Sequence, residues 1–228
     1  MIKLRLTHRG RKRQVPDRIK VNPDLPEPEV IEQAAELVRQ GAVIGYPTET
    51  SYGLGADALN IAARERIFAM KGRGSEKRLP VVVYGLDQLA ALCDPIPASV
   101  RLLAERFWPG PLTVVVPLRA RLREALGGET SVGVRVSGLA VARELPRAAG
   151  CSLTATSANE SGKPPAQTAD EVAESFGARL DLILDGGSTS GTRPSTIVDL
   201  QGVEPLLLRP GPVDFDEVLQ ALRGESLP

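Results

Sequence analysis

The sequence predicts an α/β fold, in which a single twisted, mostly parallel or mixed sheet is flanked by helices. Short, almost wholly apolar segments, typical of strands covered on both faces, alternate with segments whose apolar residues recur at helical spacing. The chain has 228 residues, of which 42% are hydrophobic and 25% charged. This size and composition allow a sizeable core without disulfide or metal cross-links.

The elements follow one another in a regular order. Apolar residues at helical spacing predict a first helix over 29–40, which Gly41 ends. Helices are also predicted over 60–70, with Asn60 as N-cap, and over 98–107, 139–149, 169–176 and 215–222. Strands are predicted over 42–46, 80–84, 112–116, 132–136, 153–156, 180–184, 195–200 and 205–209.

Residues 1–28 are predicted to form a basic leader and a proline-rich connector, ahead of an α/β domain over 29–228. Residues 1–20 contain eight lysines and arginines and one acid, Asp17, which gives a net charge of +7. Because the whole chain is neutral, the remainder carries −7. The leader could contact RNA or fold back on its own domain, and the sequence leaves both alternatives open.

Several classes of protein are excluded by what the sequence contains. No stretch reaches the roughly 18 apolar residues of a membrane span, and no apolar segment near the start resembles a secretory signal. We therefore expect a cytoplasmic protein. The single histidine, His8, and the two cysteines, Cys93 and Cys151, are too few for a zinc site or for a Ser-His-Asp or Cys-His nucleophile.

Five polar loops could carry chemistry, since ligands of α/β folds bind where loops leave strand ends. Residues 46–55 combine hydroxyls, a carboxylate and glycines, although a simple hairpin turn is the alternative. Residues 71–78 hold four cations, including Lys77, and two glycines, which suits a polyphosphate or merely a helix C-terminus. The loop over 107–113, with Trp108, more plausibly packs in the core.

The last two loops, 154–164 and 185–196, contain glycines and hydroxyls that could bind an anion, with Arg193 nearby, or could be flexible surface loops. Neither a Walker A motif nor a Gly-x-Gly-x-x-Gly fingerprint is present. The loops offer many cations and hydroxyls but few general bases and no metal-binding cluster. This inventory indicates chemistry on an anionic ligand, by positioning and charge stabilisation.

From about Glu29 to Val213 the sequence resembles the YrdC-like family, the threonylcarbamoyl-AMP synthases. The resemblance rests on seven motifs in order: Tyr-Pro-Thr-Glu-Thr-x-Tyr-Gly-Leu-Gly (46–55), Lys-x-Arg (71–73), Trp-Pro-Gly-Pro-Leu-Thr (108–113), Val-Arg (134–135), Ser-Ala-Asn-x-Ser-Gly (157–162), Ser-Thr-Ile-Val-Asp (195–199) and Leu-Arg-Pro-Gly (208–211). It implies a deep, positively lined cavity and a nucleotidyltransferase that joins L-threonine, bicarbonate and ATP into threonylcarbamoyl-AMP with release of pyrophosphate.

The resemblance also implies roles for particular residues. The family's signature around ATP, with catalytic roles, corresponds to Lys71, Arg73, Ser157 and Asn159, with Lys77 and Arg209 as further ATP contacts. Threonine would be held by Thr50, Arg135 and Ser195. Mg²⁺ is expected to arrive on the ATP phosphates rather than on protein ligands. The product would pass to a transferase complex that modifies adenosine 37 of tRNA.

The sequence departs from the family pattern at two places. Gly74 follows Lys-x-Arg where proline is usual. Family members also commonly have Pro-Leu before a strand with a histidine near the substrate, whereas here the stretch is Arg78-Leu-Pro and Val82 takes the place of the histidine. These differences leave amino-acid specificity open. A diverged paralogue that makes another carbamoyl or acyl adenylate is therefore one alternative, and a non-catalytic relative that binds RNA through the leader is another. Because the resemblance ends near Val213, we expect no additional C-terminal domain of the kind found in longer members.

Overall fold

Helices and strands are interspersed along the chain in the computed structural model, which describes residues 16–72, 74, 78–191 and 193–224. The helices are α1 (Pro28–Arg39), α2 (Ile61–Lys71), α3 (Leu86–Leu92), α4 (Ala98–Phe107), α5 (Ala140–Ala149), α6 (Ala169–Phe176) and α7 (Phe215–Arg223). The strands are β1 (Asp17–Lys20), β2 (Ile44–Pro47), β3 (Tyr52–Gly55), β4 (Val81–Val82), β5 (Leu112–Pro117), β6 (Ser131–Arg135), β7 (Leu153–Thr154), β8 (Thr156–Ser157), β9 (Leu182–Asp185), β10 (Thr196–Asp199) and β11 (Leu206–Arg209).

The predicted α/β class is confirmed, but the single sheet is wrong, because the described strands form two sheets. The five-stranded sheet has the order β1-β9-β2-β3-β8, and the six-stranded sheet has the order β11-β10-β5-β6-β4-β7. Both are mixed: four strand pairs are parallel and five are antiparallel. The sheets are therefore mixed rather than mostly parallel.

The predicted strand over 153–156 is in fact the crossing point between the sheets. Its first half, β7, pairs with β4 of the six-stranded sheet, and its second half, β8, pairs with β3 of the five-stranded sheet. Only Ala155 separates them. The Thr154 hydroxyl donates to Leu54 O (2.8 Å) and accepts from Ala56 N (3.0 Å), so the crossing point is also hydrogen-bonded to the end of β3.

Apolar side chains form three buried clusters, one for each set of packed layers. The first lies between the six-stranded sheet and α4 with α7, the second joins the five-stranded sheet to α2 and α6, and the third joins its β2 and β9 to α1 and α5. Helices thus cover both faces of the five-stranded sheet.

Within the described residues, no helix has the length and apolar character needed to cross a bilayer.

Helix ends follow the local signals of the sequence. Asn60 caps α2 as predicted, since its side chain accepts from Ala63 N at 3.1 Å. Gly41, just after α1, has φ +86°, a conformation that glycine adopts without steric cost. The predicted bounds of α4 and α6 are confirmed to the residue. The short helix α3 was not predicted.

The described part of the basic leader belongs to the fold. Residues 1–28 were predicted to be a leader and connector, but β1 pairs in parallel with β9 at the edge of the five-stranded sheet. Arg18 folds back onto the domain, with Nε and Nη2 donating to Asp185 Oδ2 at 3.1 and 2.9 Å and Nη1 to Asp170. Polar sequence hides such a strand, because main-chain pairing at an edge needs little apolar burial. Residues 1–15 lie outside the described residues.

Candidate active site

A cavity of about 250 Å³ lies between the two sheets, and both contribute to its walls. The residues predicted to hold substrates that line it are Thr50, Arg135, Ser157, Ser195 and Arg209. Ligand pockets commonly hold roughly 300–1,000 Å³, so the enclosed part suits an amino acid, and a nucleotide would extend through the mouth. Among the described residues, no three His, Cys, Asp or Glu side chains are grouped to hold a metal ion.

The turn between β2 and β3 forms one wall of the cavity. The Thr48 hydroxyl donates to Ser51 O at 2.7 Å and accepts from the backbone N–H groups of Thr50 and Ser51 at 3.2 and 3.3 Å. Since its one proton is used there, Thr50 must be the donor in the 3.0 Å contact between the two threonine hydroxyls. The loop is thus both the hairpin turn and the site wall that the sequence left as alternatives.

Arg135 ends β6 and is nearly enclosed, with 6% of the residue exposed. Its Nη1 lies 3.3 Å from Glu49 Oε1, and Glu49 Oε2 accepts a short hydrogen bond from the Ser137 hydroxyl. Among the described residues, buried Glu49 Oε1 receives no hydrogen bond, so charge rather than an aligned N–H···O contact holds the pair together. The sequence analysis missed Glu49, whose only signal was its place beside Thr50 in the first loop.

Arg209 ends β11, in the same six-stranded sheet as Arg135, and is hydrogen-bonded to Ser195. Its Nε and Nη2 donate to Ser195 O at 3.0 and 2.8 Å, and Nη2 donates to Ser195 Oγ at 2.9 Å. Ser195 Oγ is in turn 2.8 Å from Thr113 Oγ1. Burial lowers the pKa of the Arg209 guanidinium, and the nearby positive charge of Arg135 lowers it further. Two cations therefore face one cavity, which favours an anionic ligand.

A β-bulge directs Arg209 into the cavity. Leu207 pairs with Val198 and packs in the core beneath α4 and α7, and residues two apart on a regular strand share a face. Arg209 instead pairs with Ile197, a cavity residue, because the register shifts and Leu208 is the extra residue. Without the bulge, Arg209 would point toward the apolar core.

Lys71, at the end of α2, joins two of the other predicted signature residues. Its Nζ donates to Ser157 O, and to Asn159 O at 2.7 Å, and the Ser157 hydroxyl donates to Asn159 Oδ1. Ser157 lines the cavity, so Lys71 and Asn159 lie immediately behind its wall. Arg73 and Lys77 lie outside the described residues, and the roles of all these residues remain predictions.

Two other predicted features have structural positions that bear on the site. Val82, which replaces the expected histidine, is fully buried in β4 and is not among the described residues that line the cavity. Trp108 is partly buried against the core and donates from Nε1 to Leu112 O at 2.7 Å, which is the packing role expected for its loop. The long loop after β9 crosses the site at Gly191, where it touches the backbone of Thr50.

Three known proteins with similar sequences share one name. Residues 36–211 match the Sua5–YciO–YrdC family, described as telomere recombination. A relative from Pyrococcus abyssi is 41% identical over 186 residues, or 81% of this chain and 55% of the relative. One from Bacillus subtilis is 38% identical over 190 residues, or 82% of this chain and 55% of the relative. One from Thiobacillus denitrificans is 42% identical over 164 residues, or 72% of this chain and 87% of the relative. Each is named threonylcarbamoyl-AMP synthase.

Solved structures show the same fold. The P. abyssi Sua5 structure in complex with L-threonine has a TM-score of 0.84 and 39% identity, and covers 91% of this chain and 61% of that one. Escherichia coli YciO has a TM-score of 0.78 and 27% identity, and the match covers 87% of this chain and 97% of YciO. The chain thus spans about half the length of the first two curated relatives and most of the length of the shorter ones. Sequence and fold agree along most of the chain, which therefore belongs to the Sua5–YciO–YrdC family.

Proposed function

We propose that the chain synthesises threonylcarbamoyl-AMP from L-threonine, bicarbonate and ATP, with release of pyrophosphate. The observation that carries the proposal is the cavity between the sheets, where Thr50, Arg135, Ser195 and Arg209 converge in a chain about 40% identical to threonylcarbamoyl-AMP synthases. The structure of a similar protein, P. abyssi Sua5, was solved with L-threonine.

The reaction needs positioning more than it needs a protein nucleophile. The amine of threonine attacks CO₂ with release of a proton, or bicarbonate with release of water, and in either case becomes a carbamate. A carbamate oxygen then attacks the α-phosphorus of ATP, and the bond to the pyrophosphate oxygen breaks. Negative charge develops in both steps, so cations fixed in a partly enclosed cavity stabilise the transition states.

In this proposal two groups of residues around the cavity have separate tasks. Arg135 binds the threonine carboxylate with its planar guanidinium, while Thr50 and Ser195 offer hydroxyls to the remaining polar atoms of the amino acid. Lys71, Arg73, Lys77, Ser157, Asn159 and Arg209 form the ATP side. Mg²⁺ arrives on the phosphates, and its chemistry is to neutralise their charge.

The proposal also places the protein in a sequence of reactions. An acyl-adenylate of this kind is an activated group donor, so a second enzyme must transfer the threonylcarbamoyl group to its acceptor. We propose that this second enzyme is the transferase complex that modifies adenosine 37 of tRNA. We also propose that the chain and this complex work in the cytoplasm. Direct contact between the leader and RNA is not required for this chemistry.

The test is a pyrophosphate-release assay with ATP, threonine and bicarbonate, in which the nucleotide product is identified by mass. Threonylcarbamoyl-AMP must disappear when threonine or bicarbonate is omitted. Other amino acids that serve equally well would favour the paralogue, and an absence of nucleotide binding with tight, salt-sensitive RNA binding would favour the RNA-binding alternative.

The same assay tests the role of Lys71. Lys71→Gln keeps an N–H donor for the carbonyl groups of Ser157 and Asn159 but removes the charge, and we expect product formation to fall about 10²-fold or more. Lys163→Gln is the matched control, because the side chain of Lys163 is 70% exposed and forms an ion pair with Glu160 in the same loop as Ser157 and Asn159. Equal activity of both variants would remove Lys71 from the catalytic machinery.

A further inference from the structure

Arg78 is a cavity residue that neither the sequence motifs nor the proposed reaction uses. It is the last of the four cations in the loop over 71–78 and stands where the family pattern has the proline of Pro-Leu. The structure places it in the lining of the cavity, although 56% of its side chain is exposed. It therefore lies at the mouth, in contact with both solvent and the enclosed space.

Its position on β6 sets it apart from Arg135. Arg78 Nη1 donates to Ser131 Oγ at 3.0 Å, and Ser131 begins the strand that Arg135 ends. Residues 131, 133 and 135 share one face, and four residues of strand span about 13 Å. Between the two ends, Gly133 has no side chain and is flanked by Thr113 and Pro80, which both line the cavity. The side chains of Thr113 and Pro80 thus cover Gly133 and form the floor of the cavity between Arg78 and Arg135.

Arg78 retains hydrogen-bonding capacity toward a ligand. Its Nε lies 2.8 Å from Glu129 Oε2, and Nη1 is bound to Ser131. A guanidinium has five N–H donors, and within the described part of the chain Arg78 Nη2 donates no hydrogen bond. With two N–H groups turned to the protein, the others can form the paired contacts that arginine makes with phosphate oxygens.

We propose that Arg78 binds the phosphate chain of ATP at the mouth of the cavity, an inference that rests on the proposed function. The carbamate forms on the amine of threonine and attacks the α-phosphorus, so the amino-acid carboxylate and the leaving pyrophosphate lie at opposite ends of one extended assembly. With the carboxylate at Arg135, the pyrophosphate extends along β6 toward Arg78. Arg78 thus supplements the Lys-x-Arg loop at a position where proline could make no such contact.

The first experiment compares the binding of Mg-ATP and AMP to the full chain by calorimetry. We expect Arg78→Ala to weaken ATP binding about tenfold or more and to leave AMP binding within twofold, because AMP lacks the β- and γ-phosphates. Arg78→Lys keeps the charge without the fork and should recover part of the loss. Arg66→Ala is the matched control, since Arg66 is comparably exposed and paired with Asp181, outside the cavity lining.

The second readout is kinetic. Arg78→Ala should raise the KM for ATP while leaving the KM for threonine unchanged, and thermal unfolding should match that of Arg66→Ala. Equal loss of ATP and AMP binding, or no loss of either, would overturn the proposal. If the wild-type chain binds ATP but makes no threonylcarbamoyl-AMP, the proposed function fails while the comparison of ATP with AMP still decides the role of Arg78. A wild-type chain that binds no ATP would refute both.

Discussion

Gly191→Ala is a small change that should disable the site without unfolding the protein. An alanine Cβ at this position would lie 2.4 Å from Thr50 Cα, 2.5 Å from Thr50 O and 2.6 Å from Glu49 O, whereas ordinary contacts begin at 3.4 Å. All three atoms belong to backbone, so no side chain can move aside. The loop after β9 and the turn after β2 must therefore separate by about 1 Å.

The expected effect falls on catalysis. A misplacement of about 1 Å in a site can lower the rate about 10²-fold, which corresponds to about 2.7 kcal/mol in the activation free energy. Overpacking of a surface loop should lower the free energy of unfolding by about 1 kcal/mol, or about 2–4 °C in Tm for a chain of this size. The activation free energy should therefore change far more than the free energy of unfolding.

The assay is pyrophosphate release under saturating ATP, with threonine varied, beside a thermal melt. Gly85→Ala is the control, because apart from its chain neighbours no described residue lies within 4 Å of the added Cβ, and its φ of 175° is extended backbone. A kcat/KM within threefold of wild type in Gly191→Ala would refute the reasoning, since the loop contact would then not position the site. A Tm loss well above that range would refute the claim of a local effect.

Two further predictions concern charge. Arg135→Lys should raise the KM for threonine about tenfold or more, because a lysine cannot grip a carboxylate with two parallel hydrogen bonds, and an unchanged KM would contradict the role given to Arg135. Burial, with a smaller contribution from the charge of Asp57, raises the pKa of the Cys151 thiol to about 12, and burial also raises the pKa of Cys93. The Cys151 thiol is then almost wholly protonated at pH 8, so iodoacetamide should label the folded protein slowly and the denatured protein fast. Rapid labelling of the folded protein would contradict this prediction.

Elements with a strong periodic signal could be predicted from the sequence, whereas elements made by tertiary contact could not. The helices α4 and α6 carry an amphipathic pattern, and their bounds match the prediction. Two of the four residues of β3 are glycines, which disfavour strands. Gly55 is nevertheless required there, because a Cβ would lie 2.8 Å from the ring of Tyr46.

The candidate site shows the same limit. The resemblance brought Thr50, Arg135, Ser157, Ser195 and Arg209 to notice, and all five line one cavity. The remaining lining depends on geometry that the sequence does not display. Glu49 reaches Arg135 across 86 residues of chain, and the direction of Arg209 depends on one extra residue in β11. Neither a pairing at long range nor a bulge has a pattern in the sequence.

The crossing at Ala155 has a consequence for how the molecule unfolds. Thr154 and Thr156 belong to different sheets but are two residues apart, so neither sheet can lose its edge strand without pulling on the other. The two layers are thus a single cooperative unit, in which the width of the gap between them is fixed by three consecutive residues. Ser157, the next residue along this segment, lines the cavity, so the crossing holds the two sheets together directly beside the candidate site.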